Sequence, residues 1–545
     1  MELIELEERR VNPLTTGNSD AERDSSNTST TTAQAQQEYP QGFRLVLLTI
    51  GLITSCFLSA LDSTIVTTAI PAITTQFGTI SHIAWYGSAY GCSQTAFQSA
   101  WGKAYKYFPL KPAFLLAIAI FEAGNIVCAT ARSSDVLVFG RVVAGLGGGG
   151  VMTGAFLMIA LSVRERYRAA YMGILGVTYA MASVVGPLMG GMLTDHLGWR
   201  WCFWINLPIG GLATAIQAFA FRSPLPAREG TILGRIIHMD LFGGALVAGF
   251  LTCFVNAMQH GGTHSWNEPR VIGSLVGFCI LFIAFVVNEW LMKDKAMVQT
   301  HLVRNKRIAA NLLFIFFLAG LFFPLIYTLP VQYQSVDGAS ASQSGVRLIP
   351  LVCGVSAFTL LANGILTYWR NYRAFLVMGA FFGTAGTVCL YQMGAQPSAG
   401  TWIGYELLAA TIGLALQIPM IANQVAVGAD DIASVTAITL FVENAGTTIF
   451  VASSEAAFTK SLSESLMRSL SSIDPEAVLD AGATQIRHLF SGNELEKVLE
   501  SYLEGSRVSR WVSIACGIAC CLISGSGAGW VALQEGRKRW NKRAE

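Results

Sequence analysis

The sequence predicts an all-α membrane protein with fourteen transmembrane helices. Of its 545 residues, 52% are hydrophobic and only 13% are charged, a composition that excludes an ordinary soluble domain. Apolar runs recur along most of the chain, and each is about 20 residues long, enough to cross roughly 30 Å of hydrocarbon. Because the runs are continuous rather than alternating, they favour helices over a β-barrel.

The fourteen helices are assigned to these continuous apolar runs. They are predicted at 43–68, 82–101, 111–131, 134–161, 168–193, 200–221, 240–259, 270–292, 308–333, 344–366, 373–393, 401–427, 432–459 and 511–533. Two sets of six helices on either side of an inserted pair are typical of transporters built from two related halves. The predicted parts are a tail at 1–41, a six-helix bundle at 42–222, two linker helices at 223–300, a second bundle at 301–533 and a tail at 534–545.

Basic residues predict how the chain is oriented in the membrane. They concentrate in alternate short loops, and an excess of Lys and Arg marks the cytoplasmic side. The basic loops hold Lys103, Lys106, Lys111, Arg164, Arg166, Arg168, Arg222, Arg228, Arg235, Lys293, Lys295, Arg304, Lys306, Arg307, Arg370 and Arg373. Both chain ends are therefore expected in the cytoplasm, which agrees with an even number of helices.

Two polar segments lie outside the apolar runs. Residues 1–41 are rich in Ser, Thr and Gln, a composition that cannot bury a core and predicts a disordered cytoplasmic tail. Residues 460–510 show helical spacing with mixed charge and are expected on the outer side. We interpret them as a pair of surface helices across the extracellular mouth, with a lid function as the alternative.

Arg141 is the most informative single residue. It lies within an apolar segment from about 136 to 161, and a guanidinium at that depth costs several kcal/mol unless it faces a partner or a wet cavity. The glycines from Gly145 to Gly150 follow it in the same helix, and small residues let neighbouring helices approach closely. This pattern predicts a functional cation beside a tight helix seam.

Three further motifs accompany Arg141 in the first half. Asp62 lies near the end of the first helix, Gly186-Pro187 followed by Gly190-Gly191 lies in the fifth, and an aromatic segment at 199–210 opens the sixth. In combination these motifs resemble the major facilitator superfamily, in its fourteen-helix drug:proton antiporter branch. Within that branch the chain is most similar to fungal efflux pumps that export toxins and other secondary metabolites. The resemblance covers roughly residues 43–533.

The resemblance implies roles for particular residues. Arg141 and Asp62 are expected to couple transport to protons, with Glu443 as the best candidate carboxylate of the second half. An aspartate in a low dielectric takes up and releases a proton as its surroundings change. Gly186 and Pro187, with Gly190 and Gly191, are expected to form a conformational hinge, because Pro removes a backbone hydrogen bond. The energy source is then a proton gradient, and no cofactor is expected.

One loop departs from the family pattern. Between the second and third helices the family usually has an aspartate where this chain has Lys106, within Gly102–Lys111. The usual charge relay at the cytoplasmic gate cannot form with this residue. The fungal toxin pumps share the basic form of the loop, and the alternative interpretation is simple retention of basic residues in the cytoplasm.

Other polar and aromatic residues within the helices are candidates for a substrate cavity. They are Trp85, Tyr90, Gln417, Asn423 and Asn444. The alternative roles are hydrogen bonds between helices and aromatic contacts with lipid. Glu122 is expected to bond a neighbouring helix, with proton transfer as the alternative, and Glu406 is expected at the membrane interface.

The predicted function is proton-coupled efflux of hydrophobic organic compounds by a monomer in the plasma membrane. An importer or vacuolar carrier of a siderophore, amino acid or other nutrient is the alternative. The sequence lacks a hydrolase elbow, a phosphate-binding loop and any Cys/His cluster with metal spacing, so an enzymatic function has little support. Its net charge of +2 gives no indication of nucleic-acid binding. Its partners are expected to be the substrate, protons and the lipid bilayer.

Overall fold

The structure is a computed structural model. It describes residues 40–77, 83–221, 238–263, 265–368, 371–470, 478, 486–487 and 489–544. Residues 1–39 of the predicted tail lie outside this described part. The described segments are helical and contain no β-strand, as the sequence predicts.

Fourteen long helices, labelled α1 to α14, follow one another in the described residues in the predicted order. Their bounds are Phe43–Ile65, Ile83–Tyr107, Leu110–Ala129, Ser134–Ser162, Glu165–His196, Trp201–Ala220, Leu241–Thr263, Pro269–Met292, Lys306–Ser335, Ile349–Tyr368, Tyr372–Gln392, Ala399–Val425, Ile432–Ser469 and Gly492–Ala544. Thirteen of them are long and apolar enough to cross a membrane. The other is α2, where polar residues such as Gln94, Gln98 and Lys103 interrupt the apolar run.

Helix α4 is the centre of the first six-helix bundle. Its glycines lie on two faces, one packed against α3 and the other against α2. Toward α3, a Cβ added at Gly147 would lie 2.3 Å from the backbone nitrogen of Phe121. Toward α2, a Cβ at Gly145 would lie 2.4 Å from the carbonyl oxygen of Tyr90. Side chains at these positions would push the backbones apart, so the glycine run is what lets α2, α3 and α4 pack this closely.

The second bundle differs from the prediction within residues 460–510. Instead of two separate surface helices in 460–510, α13 continues through Ser469 and α14 begins at Gly492. The two extensions pack against each other through a buried apolar cluster that includes Leu462, Leu466 and Val498. Burial of these side chains between two helices explains why the extensions continue the spans rather than lie flat on the membrane.

The inserted pair α7 and α8 packs on the outside of the two bundles. Helix α7 contacts α2 of the first bundle and α13 of the second, and Phe250 of α7 packs edge to face against Phe282 of α8 at 5.6 Å between centroids. Helix α8 exposes apolar side chains such as Ile283 and Val287. Exposed apolar residues on a spanning helix face lipid, so α8 is the outermost helix on this side.

We expect the α3–α4 contact to be intolerant of side chains. Gly124→Val would place a Cβ 2.3 Å from the backbone nitrogen of Ala144, and such overpacking typically costs about 1–3 kcal/mol of stability. Gly211→Val is the matched control, because no atom lies within 4 Å of a Cβ added there. Melting of the detergent-solubilised protein, followed by size-exclusion chromatography, should show a lower Tm for Gly124→Val only. Equal Tm values for the two variants would contradict the packing described.

Candidate transport site

Arg141 and Asp62 form an ion pair inside the first bundle. The Arg141 Nη1 atom lies 2.6 Å from Asp62 Oδ2, and both side chains are 0% exposed. Arg141 also donates from Nε to the carbonyl oxygen of Tyr86 at 2.9 Å and from Nη2 to the carbonyl oxygen of Asp62 at 3.2 Å. The structure thus brings together two residues, 79 positions apart, that the sequence selected separately.

Two asparagines extend this ion pair into a network that the sequence analysis missed. Asn206 of α6 donates from Nδ2 to Asp62 Oδ1 and to Asn125 Oδ1, both at 3.0 Å. Both carboxylate oxygens of Asp62 therefore accept a hydrogen bond, which is what an ionised carboxylate requires when it is buried. An asparagine inside an apolar run is the only sequence signal that marks Asn125 and Asn206.

Tyr90 belongs to this network rather than to a substrate cavity. Its ring lies 4.5 Å from the Arg141 guanidinium carbon, within the range of a cation–π contact. Its hydroxyl donates to the carbonyl oxygen of Ser59 at 3.0 Å, and the side chain is buried. The expectation that Tyr90 lines a cavity is corrected by these contacts.

The expected hinge lies directly against the helix that carries Asp62. Helix α5 is continuous from Glu165 to His196 with Pro187 inside it. A Cβ at Gly186 would lie 2.1 Å from Thr64 Oγ1, and one at Gly190 would lie 2.2 Å from the carbonyl oxygen of Ile65. Gly186 and Gly190 thus permit close contact of α5 with α1, just after Asp62. Gly191 faces open space and takes no part in this contact.

A small cavity lies between the two bundles and receives residues from α2, α4, α5, α9, α10, α12 and α13. Its polar lining includes Gln94, Gln98, Gln417, Glu443 and Asn444. Its volume is about 40 Å³, well below the roughly 300–1,000 Å³ typical of small-molecule pockets. We therefore expect the cavity to widen, by movement of the bundles that line it, when a drug-sized molecule binds.

The sequence found three of these polar residues and missed two. Gln417, Glu443 and Asn444 were expected to be functional, whereas Gln94 and Gln98 were not singled out. The two glutamines are four residues apart, so they share one face of α2, and this spacing within an apolar run was the available signal. Tyr179 and Phe323 also line the cavity and meet edge to face at 6.3 Å between centroids.

Two other expected cavity residues lie elsewhere. Asn423 is fully buried and accepts from Asn311 Nδ2 at 2.9 Å while donating to Thr439 Oγ1 at 3.0 Å. It therefore joins α9, α12 and α13, which is the alternative role that the sequence left open. Trp85 lies in the first turn of α2 and does not line this cavity.

Glu406 is buried rather than interfacial. It is 0% exposed, accepts from the Tyr333 hydroxyl at 2.5 Å, and accepts from the backbone nitrogen of Leu351 at 3.2 Å. Arg510, which the sequence analysis placed in the outer segment, is buried too and donates to the carbonyl oxygen of Leu390 at 2.9 Å. Glu406 therefore connects α12 to α9 and α10, and Arg510 connects α14 to α11.

Glu122 has no hydrogen-bond partner among the described residues, contrary to the expected interhelical bond.

An ion pair joins the two bundles where α2 ends and α13 begins. Lys106 Nζ of α2 lies 2.8 Å from Asp431 Oδ1, immediately before α13, and His301 Nε2 lies 3.2 Å from the other Asp431 oxygen. A Cβ at Gly102 would lie 2.2 Å from Ala437 Cβ, so the helices also touch. The lysine that departs from the family pattern therefore pairs with a carboxylate supplied by the opposite bundle.

A second cavity, of about 570 Å³, lies away from these groups. It is formed by α2, α3, α4 and the start of α7, and its lining is entirely apolar, including Trp101, Phe108, Leu116 and Met239. Without a polar or ionisable group it offers no means of orienting a substrate. We therefore place the candidate site at the central cavity and the Asp62 network.

Comparison with known sequences finds relatives over most of the chain. Residues 52–451 match the Major Facilitator Superfamily. The chain is 38% identical to the MFS-type transporter grgE of a Penicillium species, over 90% of this chain and 88% of that protein. It is 37% identical to the aspyridones efflux protein of Neocamarosporium betae, over 85% of this chain and 83% of that protein.

Comparison with solved structures gives the same fold. The proton:xylose symporter XylE, a member of the superfamily solved with a bound glucose derivative, superposes with a TM-score of 0.56 and 12% sequence identity. The match covers 88% of this chain and 95% of that structure. At this identity the likeness concerns the fold alone.

We expect the Asp62–Arg141 pair to show strong coupling in a double-mutant cycle. Asp62→Asn or Arg141→Met alone leaves one buried charge unpaired, which typically costs about 3–5 kcal/mol, whereas removing both charges costs much less. The free energy of unfolding in SDS or the Tm is the measurement. The Lys106–Asp431 pair is the matched control, because partly exposed pairs are typically worth about 1 kcal/mol or less. Additive losses at Asp62 and Arg141 would contradict the buried pair.

Proposed function

Because the chain belongs to the Major Facilitator Superfamily of membrane transporters, we propose that it exports small hydrophobic organic compounds in exchange for protons. The central cavity would open to each side of the membrane in turn, as in other transporters built from two bundles. This superfamily consists of transporters rather than enzymes. We favour export over import because the relative from Neocamarosporium betae is named an efflux protein.

The main support for this proposal is the position of three ionisable residues in the helices. Asp62 and Arg141 are paired and fully buried in the first bundle, while Glu443 of the second bundle lines the cavity. Ionisable residues at membrane depth are costly and typically mark proton or substrate pathways. One carboxylate on each side of a central cavity is an arrangement suited to exchange of a proton for a substrate.

Arg141 is placed to remain in position while Asp62 gains or loses a proton. Besides Asp62 Oδ2, the guanidinium bonds two backbone carbonyl oxygens and lies over the Tyr90 ring. These contacts persist when the carboxylate is neutral. When Asp62 is protonated, only its ion pair with Arg141 is lost, and the other contacts of Arg141 remain. The positive charge of Arg141 then favours release of the proton, because release restores the ion pair.

The contact between α1 and α5 offers a way for this proton to affect the bundles. Thr64 and Ile65 follow Asp62 by less than one helical turn and touch α5 at Gly186 and Gly190. Thr64 Oγ1 also donates to the carbonyl oxygen of Ala182 at 3.4 Å. We propose that a change of charge at Asp62 shifts this contact and that α5, weakened at Pro187, transmits the shift to the cavity.

Glu443 is proposed to sense the substrate directly. Glu443 lines the cavity, and it forms no ion pair among the described residues. Holding an unpaired carboxylate charge in a low dielectric is costly, so proton binding there is coupled to what occupies the cavity. Opening toward the cytoplasm would then require the Lys106–Asp431 contact to break.

We expect Asp62→Asn to abolish proton-driven export without abolishing binding. Purified protein in proteoliposomes should concentrate a fluorescent hydrophobic compound when a pH gradient is imposed, and Asp62→Asn and Glu443→Gln should reduce this at least about tenfold. Exchange of labelled for unlabelled compound without a gradient should persist, since it needs no proton. Asp195→Asn, an exposed carboxylate at the outer end of α5, is the control. Gradient-driven export by Asp62→Asn at the wild-type rate would refute the coupling.

A further inference from the structure

We propose that the amide pair formed by Gln98 and Asn444 recognises the substrate. The pair would select uncharged aromatic compounds that carry a hydrogen-bond acceptor, such as a ketone or ester carbonyl, over organic anions. This inference rests on the proposed export function and names the substrate class of the same cavity.

The first observation is an unused hydrogen-bond donor. Gln98 lines the central cavity and is 0% exposed. Its Oε1 atom accepts from Asn444 Nδ2 at 2.6 Å, whereas its Nε2 atom has no partner among the described residues. A buried amide donor without an acceptor is unfavourable, and unsatisfied buried groups are rare enough in native structures to need an explanation. An acceptor oxygen on a bound molecule would satisfy this donor.

The second observation is the charge of the cavity. Its lining contains Glu443 but no Lys, Arg or His among the described residues. A carboxylate or sulfonate on a substrate would meet no cation and would lie close to a second acid. Like charges and unpaired ions are strongly disfavoured in a low dielectric, so this cavity rejects organic anions.

The third observation concerns the rest of the cavity wall. Phe156, Tyr179, Phe322 and Phe323 contribute aromatic surface, and Met152 adds a flexible apolar side chain. Aromatic faces stack on flat apolar compounds, and Met adapts to irregular shapes. A mostly apolar wall with a few polar groups is the usual composition of a small-molecule site, in which the polar groups fix orientation.

The position of the amide pair connects recognition to opening. Gln98 lies on α2 of the first bundle and Asn444 on α13 of the second. Because the cavity measures only about 40 Å³, a substrate must separate the bundles and break this amide bond. A carbonyl oxygen can then accept from Asn444 Nδ2, which the separation frees, and from Gln98 Nε2, which has no partner among the described residues even before the separation. A compound without an acceptor breaks the same bond and leaves the donors unpaired, so it gains less from entering.

The test compares three fluorescent compounds that share one aromatic ring system. These are anthracene carboxylic methyl ester, the free anthracene carboxylate and methylanthracene, which lacks the acceptor. Binding is measured by quenching of tryptophan fluorescence in purified protein reconstituted in lipid nanodiscs at neutral pH, with no proton gradient. The wild-type protein should bind the ester about tenfold or more tightly than either the acid or the hydrocarbon.

The variants isolate the amide pair. Gln98→Met should weaken ester binding about tenfold without weakening methylanthracene binding, which is expected to be equal or tighter because no amide bond then has to break. Asn444→Leu should act in the same direction. Gln217→Met is the matched control, because Gln217 is equally buried with both amide atoms unpartnered among the described residues, yet lies outside the cavity. A Tm within a few degrees of wild type shows that a variant is folded. If Gln98→Met does not fold, Asn444→Leu replaces it in the test, because Asn444 is only partly buried.

The outcomes separate this inference from the proposed function. If the wild-type protein binds the acid as tightly as the ester, or if both variants keep the preference for the ester over the hydrocarbon, the amide-pair proposal is overturned. The export function is tested separately, by gradient-driven export in proteoliposomes, whereas binding is measured without a gradient. Selective ester binding by a protein that exports nothing would refute the export function and leave the recognition element in place.

Discussion

The high energetic cost of charge in hydrocarbon is the constraint on which this structure depends. Asp62 and Arg141 are fully buried, and either residue alone would be strongly unfavourable at this depth. Their pairing, completed by Asn206 and two backbone carbonyl groups, satisfies the charges and fixes α1, α4 and α6 relative to one another. We propose that the same pairing makes the site sensitive to protons, because any change of charge at Asp62 alters an interaction that the bundle needs.

Close packing allows this interaction to influence more distant parts of the molecule. Gly186 and Gly190 bring α5 against α1 beside Asp62. Farther along α5, Gly176 approaches the Gln417 side chain of the second bundle, where an added Cβ would lie 2.7 Å from Nε2. One helix therefore touches the ion-pair region, the cavity and the opposite bundle. Since close-packed contacts shift between discrete arrangements rather than deform continuously, we propose that a local change near Asp62 reaches the cavity through α5.

Much of the fold was accessible from the sequence because membrane helices follow simple rules. The apolar runs gave the helix order, and Arg141 with its glycines marked the centre of the first bundle. Contacts between residues distant in sequence were not accessible: Lys106 meets Asp431 325 positions away, and nothing local indicates this. The extensions of α13 and α14 within residues 460–510 were misassigned because their mixed charge resembles that of a surface helix. Tyr90 and Asn423 were assigned to the cavity because residue type does not show which face of a helix a side chain occupies.

The most direct test of the central claim is the protonation state of Asp62 during the cycle. Infrared difference spectroscopy of the purified protein in lipid, with and without a transported compound, reports the carbonyl stretch of carboxylic acids as they gain or lose protons. We expect a band that is lost in Asp62→Asn and retained in Asp195→Asn. A difference spectrum that is unchanged by Asp62→Asn, in a protein that still exports under a pH gradient, would contradict the role given to the buried ion pair.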